Sequence, residues 1–399
     1  MIHTVQGTRE SRRKKEMEIT KDIIYTGVSD RQIDLFESQY RVPDGMSYNS
    51  YIIRDDSIAV MDSVDARFGS EWLGNIGKVL GETSPDYLIV QHMEPDHSSN
   101  IMAFAERYPD AKIVGTAKVS GMIKNFFGID ISDRFVPVKD GDTLSLGTHE
   151  LTFVTAPMVH WPEVMMTYDG KERVLFSADA FGRFGTADAD IPWDDEARRY
   201  YIGIVGKFGQ QVQAVLKKAS ALDIGLICPL HGPVLRDEIA HCVDLYDKWS
   251  SYVPEEKGVV IAYTSVYGHT AEAARKLSGM LEEKGQKTVL YDLARCDMSL
   301  AVSEAFRYDR LVLATTTYNG DIFPFMREYI QHLTERGFRG RRIGLIENGS
   351  WGPMAVKVMT GLLEGSKNLQ FCETSVKILS ALNDESTEAL GKLADEMCR

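Results

Sequence analysis

Apolar and polar positions follow two different patterns along the chain, and the change falls near residues 249–258. After it, five short apolar runs alternate with segments whose apolar positions recur at helical spacing. The predicted strands are Val259–Ser265, Thr288–Leu293, Arg310–Thr316, Arg342–Glu347 and Thr374–Leu379. The predicted helices include Thr270–Lys284, Phe325–Arg336 and Met354–Leu363. Apolar strands separated by helices predict an α/β domain with a doubly wound, five-stranded parallel sheet.

Before the change, strand-like and helical segments alternate irregularly, which predicts an α+β domain with two sheets. The strand-like pieces are Ser50–Val64, Tyr87–Gln91, Glu150–Thr155 and Arg173–Ser177. The pairs Asp140-Gly141 and Asp169-Gly170 are typical of hairpin turns. The polar stretch WSSYVPEEKG at residues 249–258 predicts a boundary between a first domain, 17–252, and a second, 256–399.

The opening residues 1–16 are polar and include a basic cluster, which predicts a disordered leader and leaves Met1 and Met17 as alternative starts. At 399 residues the chain is too long for one ordinary core. Its hydrophobic content of 44% and charged content of 26% are typical of a folded, water-soluble protein. The net charge of -13 argues against nucleic acid or an anionic membrane as the main partner.

The cysteines limit the kinds of metal site and redox site that the chain can contain. All five are scattered and none forms a C-x-x-C pair, so a zinc ribbon, a rubredoxin-type iron site and a thioredoxin motif have no support in the sequence. An odd, scattered set predicts reduced thiols and a cytoplasmic location. No apolar run has the length of a membrane span.

Seven potential metal ligands follow apolar strands. The run Leu88–Gln91 leads into His-Met-Glu-Pro-Asp-His at 92–97, where Pro95 ends the strand and lets several side chains turn inward. Three more ligands each follow another apolar run. The set is His92, Glu94, Asp96, His97, His160, Asp179 and His231. Four imidazoles and three carboxylates at strand ends predict one metal cluster; the alternatives are a polar surface loop and polar groups satisfied at strand ends.

Three loops at strand ends of the second domain predict a site for a phosphorylated, flat ring. The residues are Thr264, Ser265, Val266, Tyr267, Gly268, His269 and Thr270; Thr315, Thr316, Thr317, Tyr318, Asn319 and Gly320; and Asn348, Gly349, Ser350, Trp351 and Gly352. The first loop offers hydroxyls and helix N-terminal amides without Lys or Arg, which disfavours a triphosphate site. Tyr318 or Trp351 could stack on the ring. The alternatives are an ordinary capping turn for the first loop and a core position for Trp351.

These motifs resemble a known family. The pattern H-x-[EH]-x-D-H, followed by His, Asp and His after later strands, resembles the metallo-β-lactamase fold, an αββα sandwich. Glu94 at the third position, together with His160-Trp161-Pro162-Glu163, resembles the flavodiiron proteins, also called A-type flavoproteins. The three C-terminal loops resemble the FMN-binding loops of flavodoxin. The resemblance covers nearly the whole chain from about residue 17.

The resemblance implies a ligand assignment for a non-haem di-iron site. One iron would be held by His92, Glu94 and His160 and the other by Asp96, His97 and His231, with Asp179 between them. His97 is not bound to iron in every member of the family. The chain departs from many relatives at Phe184, where they carry a histidine. That departure leaves the polarity of the pocket open.

The residue types agree with iron, although they leave zinc and manganese open. Replacing an imidazole by a carboxylate hardens the site and adds negative charge, which suits a metal that cycles between Fe(II) and Fe(III). Zinc hydrolases of this fold favour imidazole-rich sites, and zinc has no redox chemistry. Three carboxylates leave a diferrous pair with a net charge of about +1.

The family resemblance implies an enzyme that passes electrons through FMN to the di-iron site and reduces O2 to water, NO to N2O, or both. It also implies a small rubredoxin-like donor, or a deazaflavin in some archaea. A head-to-tail homodimer or a dimer of dimers is expected, with no nucleic acid or membrane as partner. No side chain beyond the metal ligands is assigned a catalytic role. The alternatives are a zinc-dependent hydrolase with a fused flavodoxin module and an electron carrier whose first domain is only a scaffold.

Overall fold

The computed structural model describes residues 18–399, which form two compact units. The first comprises residues 18–200 with Gln210–Asp244, and the second is Tyr201–Gly209 with Leu245–Arg399. The predicted leader, residues 1–16, and the alternative starts at Met1 and Met17 lie outside the described residues. The domain limits 17–252 and 256–399 stay a prediction.

The first unit is built on two sheets and two short ribbons. Its strands are β1 (Ile23–Tyr25), β2 (Val28–Asp30), β3 (Leu35–Phe36), β4 (Tyr40–Arg41), β5 (Met46–Tyr48), β6 (Tyr51–Ile53), β7 (Ala59–Met61), β8 (Tyr87–Ile89), β9 (Lys112–Thr116), β10 (Phe135–Val138), β11 (Thr143–Ser145), β12 (Glu150–Thr155), β13 (Met165–Asp169), β14 (Val174–Phe176) and β15 (Leu226–Cys228). One sheet has the order β1-β6-β7-β8-β9-β10 and the other β11-β12-β13-β14-β15. The ribbons pair β2 with β5 and β3 with β4.

Both sheets contribute to one apolar core. Met61 and Ile89 from the first sheet and Phe153 and Phe176 from the second belong to the same buried cluster. Alternation places these side chains there: in β12, Leu151 and Phe153 are buried while the first residue of the strand is exposed. A slip of one residue would turn the apolar side chains to the other face, so this core defines the register.

Helices connect and flank these strands. They are α1 (Gly69–Leu80), α2 (Pro95–Ser98), α3 (Ile101–Arg107), α4 (Ala117–Phe127), α5 (Trp193–Tyr200), α6 (Gly209–Ala219) and α7 (Ile239–Ser251), with a 3-10 turn at Ala66–Phe68. The second part of α7, from Leu245, belongs to the second unit, as do a π-helical turn at Tyr201–Val205 and a 3-10 turn at Gly206–Phe208. Within residues 18–399, no helix combines the length and the apolar character needed to cross a bilayer.

Two predictions for the first unit need correction. The segment Ser50–Val64 is two antiparallel strands, β6 and β7, rather than one. The turn Asp140-Gly141 is not a hairpin, because β10 pairs with β9 while β11 pairs with β12. The chain there passes from one sheet to the other, a connection that a local turn signal cannot distinguish from a hairpin. The hairpin at Asp169-Gly170 is confirmed, since β13 and β14 pair antiparallel around it.

The second unit is a doubly wound sheet, as predicted. Its strands are β16 (Glu256–Tyr263), β17 (Thr288–Asp292), β18 (Tyr308–Tyr318), β19 (Asp321–Ile322), β20 (Arg342–Asn348) and β21 (Gln370–Ile378), and its helices are α8 (His269–Glu283), α9 (Met298–Arg307), α10 (Pro324–Glu335), α11 (Ala355–Leu363) and α12 (Asp384–Met397). The parallel order β17-β16-β18-β20-β21 puts the carboxyl ends of β16, β18 and β20 side by side. Ligands of such sheets bind at this edge.

Candidate functional site

The first four predicted ligands lie where β8 leaves its sheet. Glu94 precedes α2, and Pro95 occupies the first helical position, where its missing N–H costs no helical hydrogen bond. The helical turn that follows directs Asp96 and His97 inward, and both side chains are buried. One strand end therefore presents ligands from an extended segment and from a helical turn.

The other three ligands also lie at strand ends. His160 lies in the connection between β12 and β13, and its side chain is buried. Asp179 and His231 each follow, by three residues, the last residue of β14 and of β15. Because β14 and β15 are parallel neighbours, their carboxyl ends lie at the same edge of the sheet. The structure thus brings together all seven side chains that the sequence selects.

A first group of ligand atoms surrounds one position. His92 Nε2 lies 3.3 Å from His160 Nε2 and 3.3 Å from Glu94 Oε2. His160 Nε2 lies 3.0 Å from Glu94 Oε2 and 3.0 Å from Asp179 Oδ2. One ligand atom from each of these four residues lies within 4.8 Å of those of the other three.

A second group lies on the other side of Asp179. It consists of Asp96, His97 and His231, whose ligand atoms also lie within 4.8 Å of one another. His97 Nε2 is 3.0 Å from His231 Nε2 and 3.4 Å from Asp179 Oδ1. Asp179 therefore turns Oδ2 to the first group and Oδ1 to the second, which is the arrangement of a bridging carboxylate.

The chemistry and spacing of these groups fit a pair of metal ions. With metal–ligand bonds of about 2.0–2.2 Å, neighbouring ligand atoms lie roughly 2.9–3.5 Å apart, and the ring nitrogens here are 3.0 and 3.3 Å apart. Both carboxylate oxygens of Asp96 and Oδ1 of Asp179 are buried without a hydrogen-bond donor among the described residues. Buried carboxylates are costly unless a cation compensates them, and a metal pair would supply that charge.

The ligands shift one another's protonation strongly. Burial lowers the pKa of His92 and His160, but the Asp179 and Glu94 carboxylates outweigh that effect and raise the pKa of His160 to about 9 and that of His92 well above its usual range. Burial raises the pKa of Asp179, yet the surrounding imidazoles hold it well below its usual value. Protonated imidazoles therefore balance the carboxylates where no metal is bound.

Metal binding is expected to release at least one proton per chain at pH 7. The pKa values of His92, His97 and His160 are all raised, that of His160 to about 9, so a proton must leave each protonated ring before that ring can bind a metal. Affinity for metal therefore falls as the pH falls below about 9, by about tenfold per pH unit for each proton released. Calorimetric titration with Co²⁺ in buffers of different ionisation enthalpy measures this release, and a value below one proton contradicts the prediction.

Residues that the sequence did not select hold the ligands in place. Asp62 accepts hydrogen bonds from the backbone N–H of Gln91, at 2.7 Å, and of His92, at 3.3 Å, which orients the start of the ligand loop. Asn49 donates to the carbonyls of Pro229, at 2.8 Å, and Gly232, at 2.9 Å, on either side of His231. Asp62 follows strand β7, so the strand-end pattern could have found it. Asn49 follows β5, but the sequence of that strand, Met-Ser-Tyr, is not an apolar run, so the pattern misses Asn49.

Replacing Asn49 by alanine is expected to lower the free energy of unfolding by about 1–3 kcal/mol, because two buried carbonyls lose their donor. The turn that carries His231 should loosen as well, which lowers the affinity for metal. Thermal unfolding of the metal-free and the metal-loaded variant measures both effects. Asn75→Ala is a suitable control, since the side chain of Asn75 donates to backbone carbonyls only at 3.4 Å and otherwise accepts from the exposed Lys78 ammonium at 3.2 Å. Equal losses in the two variants would contradict the prediction.

Aromatic rings line the second group of ligands. Phe36 and Tyr200 lie 5.4 and 5.5 Å from the His231 ring, between ring centroids. Phe184, the position at which the chain departs from the family pattern described above, is buried 5.8 Å from Phe36 and 5.2 Å from Tyr200. Phe184 thus packs against two rings that lie beside His231, and the Arg199 guanidinium lies 4.4 Å from the centroid of the Phe184 ring.

One further carboxyl, Glu37, lies next to the first group. It occupies the exposed connection between β3 and β4 and accepts a hydrogen bond from Gln39 at 3.2 Å. Although the residue as a whole is exposed, desolvation of its carboxyl and the nearby Glu94 carboxylate raise the pKa of Glu37 to about 7. Nothing in the pattern of the sequence distinguishes Glu37 from other loop acids.

The three loops of the second unit lie side by side. The first joins β16 to α8, where Gly268 adopts a φ of 98° and its N–H donates to Ser265 Oγ at 3.1 Å. Thr264 Oγ1 lies 2.6 Å from Thr315 Oγ1 in the second loop. The N–H of Met354, just past the third loop, donates to Thr317 Oγ1 at 2.8 Å. These hydrogen bonds hold the three predicted FMN loops together at the carboxyl ends of β16, β18 and β20.

Aromatic side chains at this edge are exposed. Trp351 is 95% exposed and Tyr318 is 44% exposed, so the alternative that Trp351 belongs to the core is wrong. Tyr267 is 91% exposed beside the first loop. Flat faces next to small residues and free amides at the start of α8 suit a phosphorylated ring system.

Comparisons with known proteins agree with both units. The model of a family described as ODP family beta lactamase matches residues 46–232, and the flavodoxin model matches residues 261–396. The anaerobic nitric oxide reductase flavorubredoxin of Salmonella arizonae is 29% identical, over 87% of this chain and 74% of that protein. Rubredoxin oxygen:oxidoreductase from Desulfovibrio gigas has a TM-score of 0.90 and 27% identity, over 96% of this chain and 97% of that one. The flavodiiron protein from Giardia intestinalis has a TM-score of 0.89 and 26% identity, over 96% of each chain.

The fold and the site define a class, a metallo-β-lactamase-like domain with a two-metal ligand set joined to a flavodoxin-like domain. In both units the chain is similar to the flavodiiron proteins, over nearly its whole length. The predicted fold class is confirmed with it.

Proposed function

We propose that the chain is an oxidoreductase that takes electrons from an external donor through FMN to a non-haem di-iron site and reduces O2 to water, NO to N2O, or both. The observation that supports this best is the convergence of seven ligands into two groups that share Asp179. A relative named as a nitric oxide reductase, and a solved structure of the same fold named rubredoxin oxygen:oxidoreductase, support the same activity.

The ligand groups would hold one iron each. His92, Glu94 and His160 surround the first position, and Asp179 reaches both positions through different oxygens. Bound iron supplies one-electron redox chemistry and open positions for a diatomic gas, and bound FMN supplies a store of two electrons.

The three loops of the second unit would hold FMN. The hydroxyls of Thr264 and Ser265 and the amides at the start of α8 suit the phosphate, and Trp351 offers an exposed face to the ring. A site built from hydroxyls and amides, without a cation in the first loop, suits a monophosphate.

The two other hypotheses fit the site less well. A zinc hydrolase does not need Glu94 in place of an imidazole, and it has no use for a flavin site. A carrier with a scaffold domain does not need two groups of buried ligands, which reduce stability when no cation compensates them.

The proposal is tested on the full chain, purified without oxygen and supplied with Fe²⁺ and FMN. We expect about two irons and about one FMN per chain, and consumption of O2 or NO when a reduced rubredoxin is added. The two gases are measured in separate runs with gas electrodes. Zinc as the bound metal together with hydrolysis of a lactam or thioester favours the hydrolase, and failure to consume either gas contradicts the proposal.

The partner, the assembly and the location belong to the same proposal. A rubredoxin-like donor is supported by a relative named rubredoxin oxygen:oxidoreductase. A head-to-tail homodimer or a dimer of dimers, and a cytoplasmic location, follow from the family resemblance and from the scattered cysteines. Sedimentation of the purified protein and its titration with reduced rubredoxin address the assembly and the donor.

A further inference from the structure

The imidazoles of the two ligand groups are supported in different ways. His92 Nδ1 donates to Glu163 Oε1 at 2.8 Å, and both side chains are fully buried. His231 Nδ1 donates to the backbone carbonyl of Ser47 at 2.7 Å. His97 Nδ1 is buried and has no hydrogen-bond partner among residues 18–399. Of these three rings, the one in the first group is supported by a carboxylate, and those in the second group are supported by a neutral group or by none.

Glu163 is held firmly in this position. Its Oε1 also accepts the backbone N–H of Met93 at 2.9 Å, so the carboxylate contacts two successive residues of the ligand loop. Its own carbonyl accepts the hydroxyl of Thr116 at 2.9 Å. Its Oε2 is buried without a donor in the described part of the chain, so both hydrogen bonds of the carboxylate, from His92 and from Met93, go to Oε1.

The same connection provides a ligand and a support. It carries His160, which faces the first metal position, and three residues later Glu163, which lies behind His92. Between them, the Trp161 ring lies 5.3 Å from the His92 ring and 6.2 Å from the His160 ring. The connection between β12 and β13 thus contributes both a ligand, His160, and the carboxylate that supports another ligand, His92. Among the described residues, no carboxylate accepts a hydrogen bond from Nδ1 of His97 or of His231.

We infer that Glu163 is a positioning residue that makes the position at His92, Glu94 and His160 the tighter of the two, so that this position binds metal first. The carboxylate fixes the proton on Nδ1, leaves the Nε2 lone pair for the metal and makes the ring a stronger donor. A neutral carbonyl behind His231 does this less. The inference rests on the two-metal site of the proposed function, but not on which gas is reduced.

The test is a titration of the metal-free full chain with Co²⁺, combined with anomalous scattering from crystals given one equivalent. In the wild type we expect the first equivalent at the position of His92, Glu94 and His160. In Glu163→Gln we expect the affinity of that position to fall about 10–100-fold and the order of filling to be lost. Glu163→Asp, which keeps the charge and shortens its reach, should lie between them. Glu150→Gln, an equal loss of charge at an exposed residue, should match the wild type.

Each outcome bears on the inference. A Glu163→Gln protein that fills the same position first, with an affinity within about threefold of the wild type, overturns the inference and leaves the proposed function intact. The wild-type protein alone also tests the inference. If Co²⁺ fills both positions equally, or fills the position at Asp96, His97 and His231 first, the inference is overturned even when the variant does not fold. A wild type that never binds two Co²⁺ per chain contradicts the two-metal site itself, and the proposed function fails with it.

Discussion

Replacing Asp179 by asparagine is expected to reduce gas consumption by at least about 100-fold, and to lower the metal content from about two per chain to below one. Asp179 is the residue that both ligand groups share, with Oδ2 at 3.0 Å from His160 Nε2 and Oδ1 at 3.4 Å from His97 Nε2. An asparagine keeps the shape but presents an amide to one of the two positions, and N–H groups repel a cation. It also removes one of the three charges that would compensate the metals.

The measurement combines metal analysis of protein loaded without oxygen with gas electrodes. Asp223→Asn is the matched control, because this substitution causes the same change of charge at an exposed site of the same unit. The side chain of Asp223 forms an ion pair with Arg173. FMN content should stay at the wild-type level in both variants, because the flavin loops lie in the other unit. A variant at Asp179 that keeps two metals and normal turnover would contradict the bridging role.

The sequence could predict this site because its ligands follow a physical rule. Side chains at the carboxyl ends of neighbouring strands converge, and His92, Asp179 and His231 each come shortly after an apolar run. The second unit was predictable for a similar reason, because buried parallel strands are continuous apolar runs and their order brings three loops to one edge. The grouping around two positions came from the family resemblance.

The remaining features depend on contacts that are distant in sequence. Asn49 supports a turn 180 residues away, through the carbonyl of Pro229. The turn at Asp140-Gly141 has the sequence of a hairpin but passes between sheets, because the pairing partners of β10 and β11 decide its role. Glu163 belonged to a recognised segment, yet its position behind His92 requires the fold. Local patterns describe strand ends well and say little about what lies behind them.

Replacing Gly268 by aspartate is expected to weaken FMN binding at least about 100-fold while about two metals per chain remain bound. A side chain added at Gly268 would meet no neighbouring atom within 4 Å. Gly268 precedes α8, where free amides and hydroxyls would hold the phosphate. A carboxylate about 5 Å from the phosphate costs roughly 3 kcal/mol at an effective dielectric constant of about 20, which corresponds to about 100-fold in Kd. Quenching of flavin fluorescence on binding measures the affinity, and metal analysis measures the other site.

Gly340→Asp is the control for this variant. Gly340 also has a positive φ, 65° against 98° for Gly268, and no neighbouring atom crowds an added side chain at either position. It precedes β20, at the edge of the sheet opposite the flavin loops, so it shares the backbone strain and the new charge but not the phosphate. If both variants lose FMN equally, strain or net charge explains the loss and the loop is not the phosphate site. If only Gly268→Asp loses it, donor-driven gas consumption should fall with FMN occupancy, because the metals keep their ligands but no longer receive electrons.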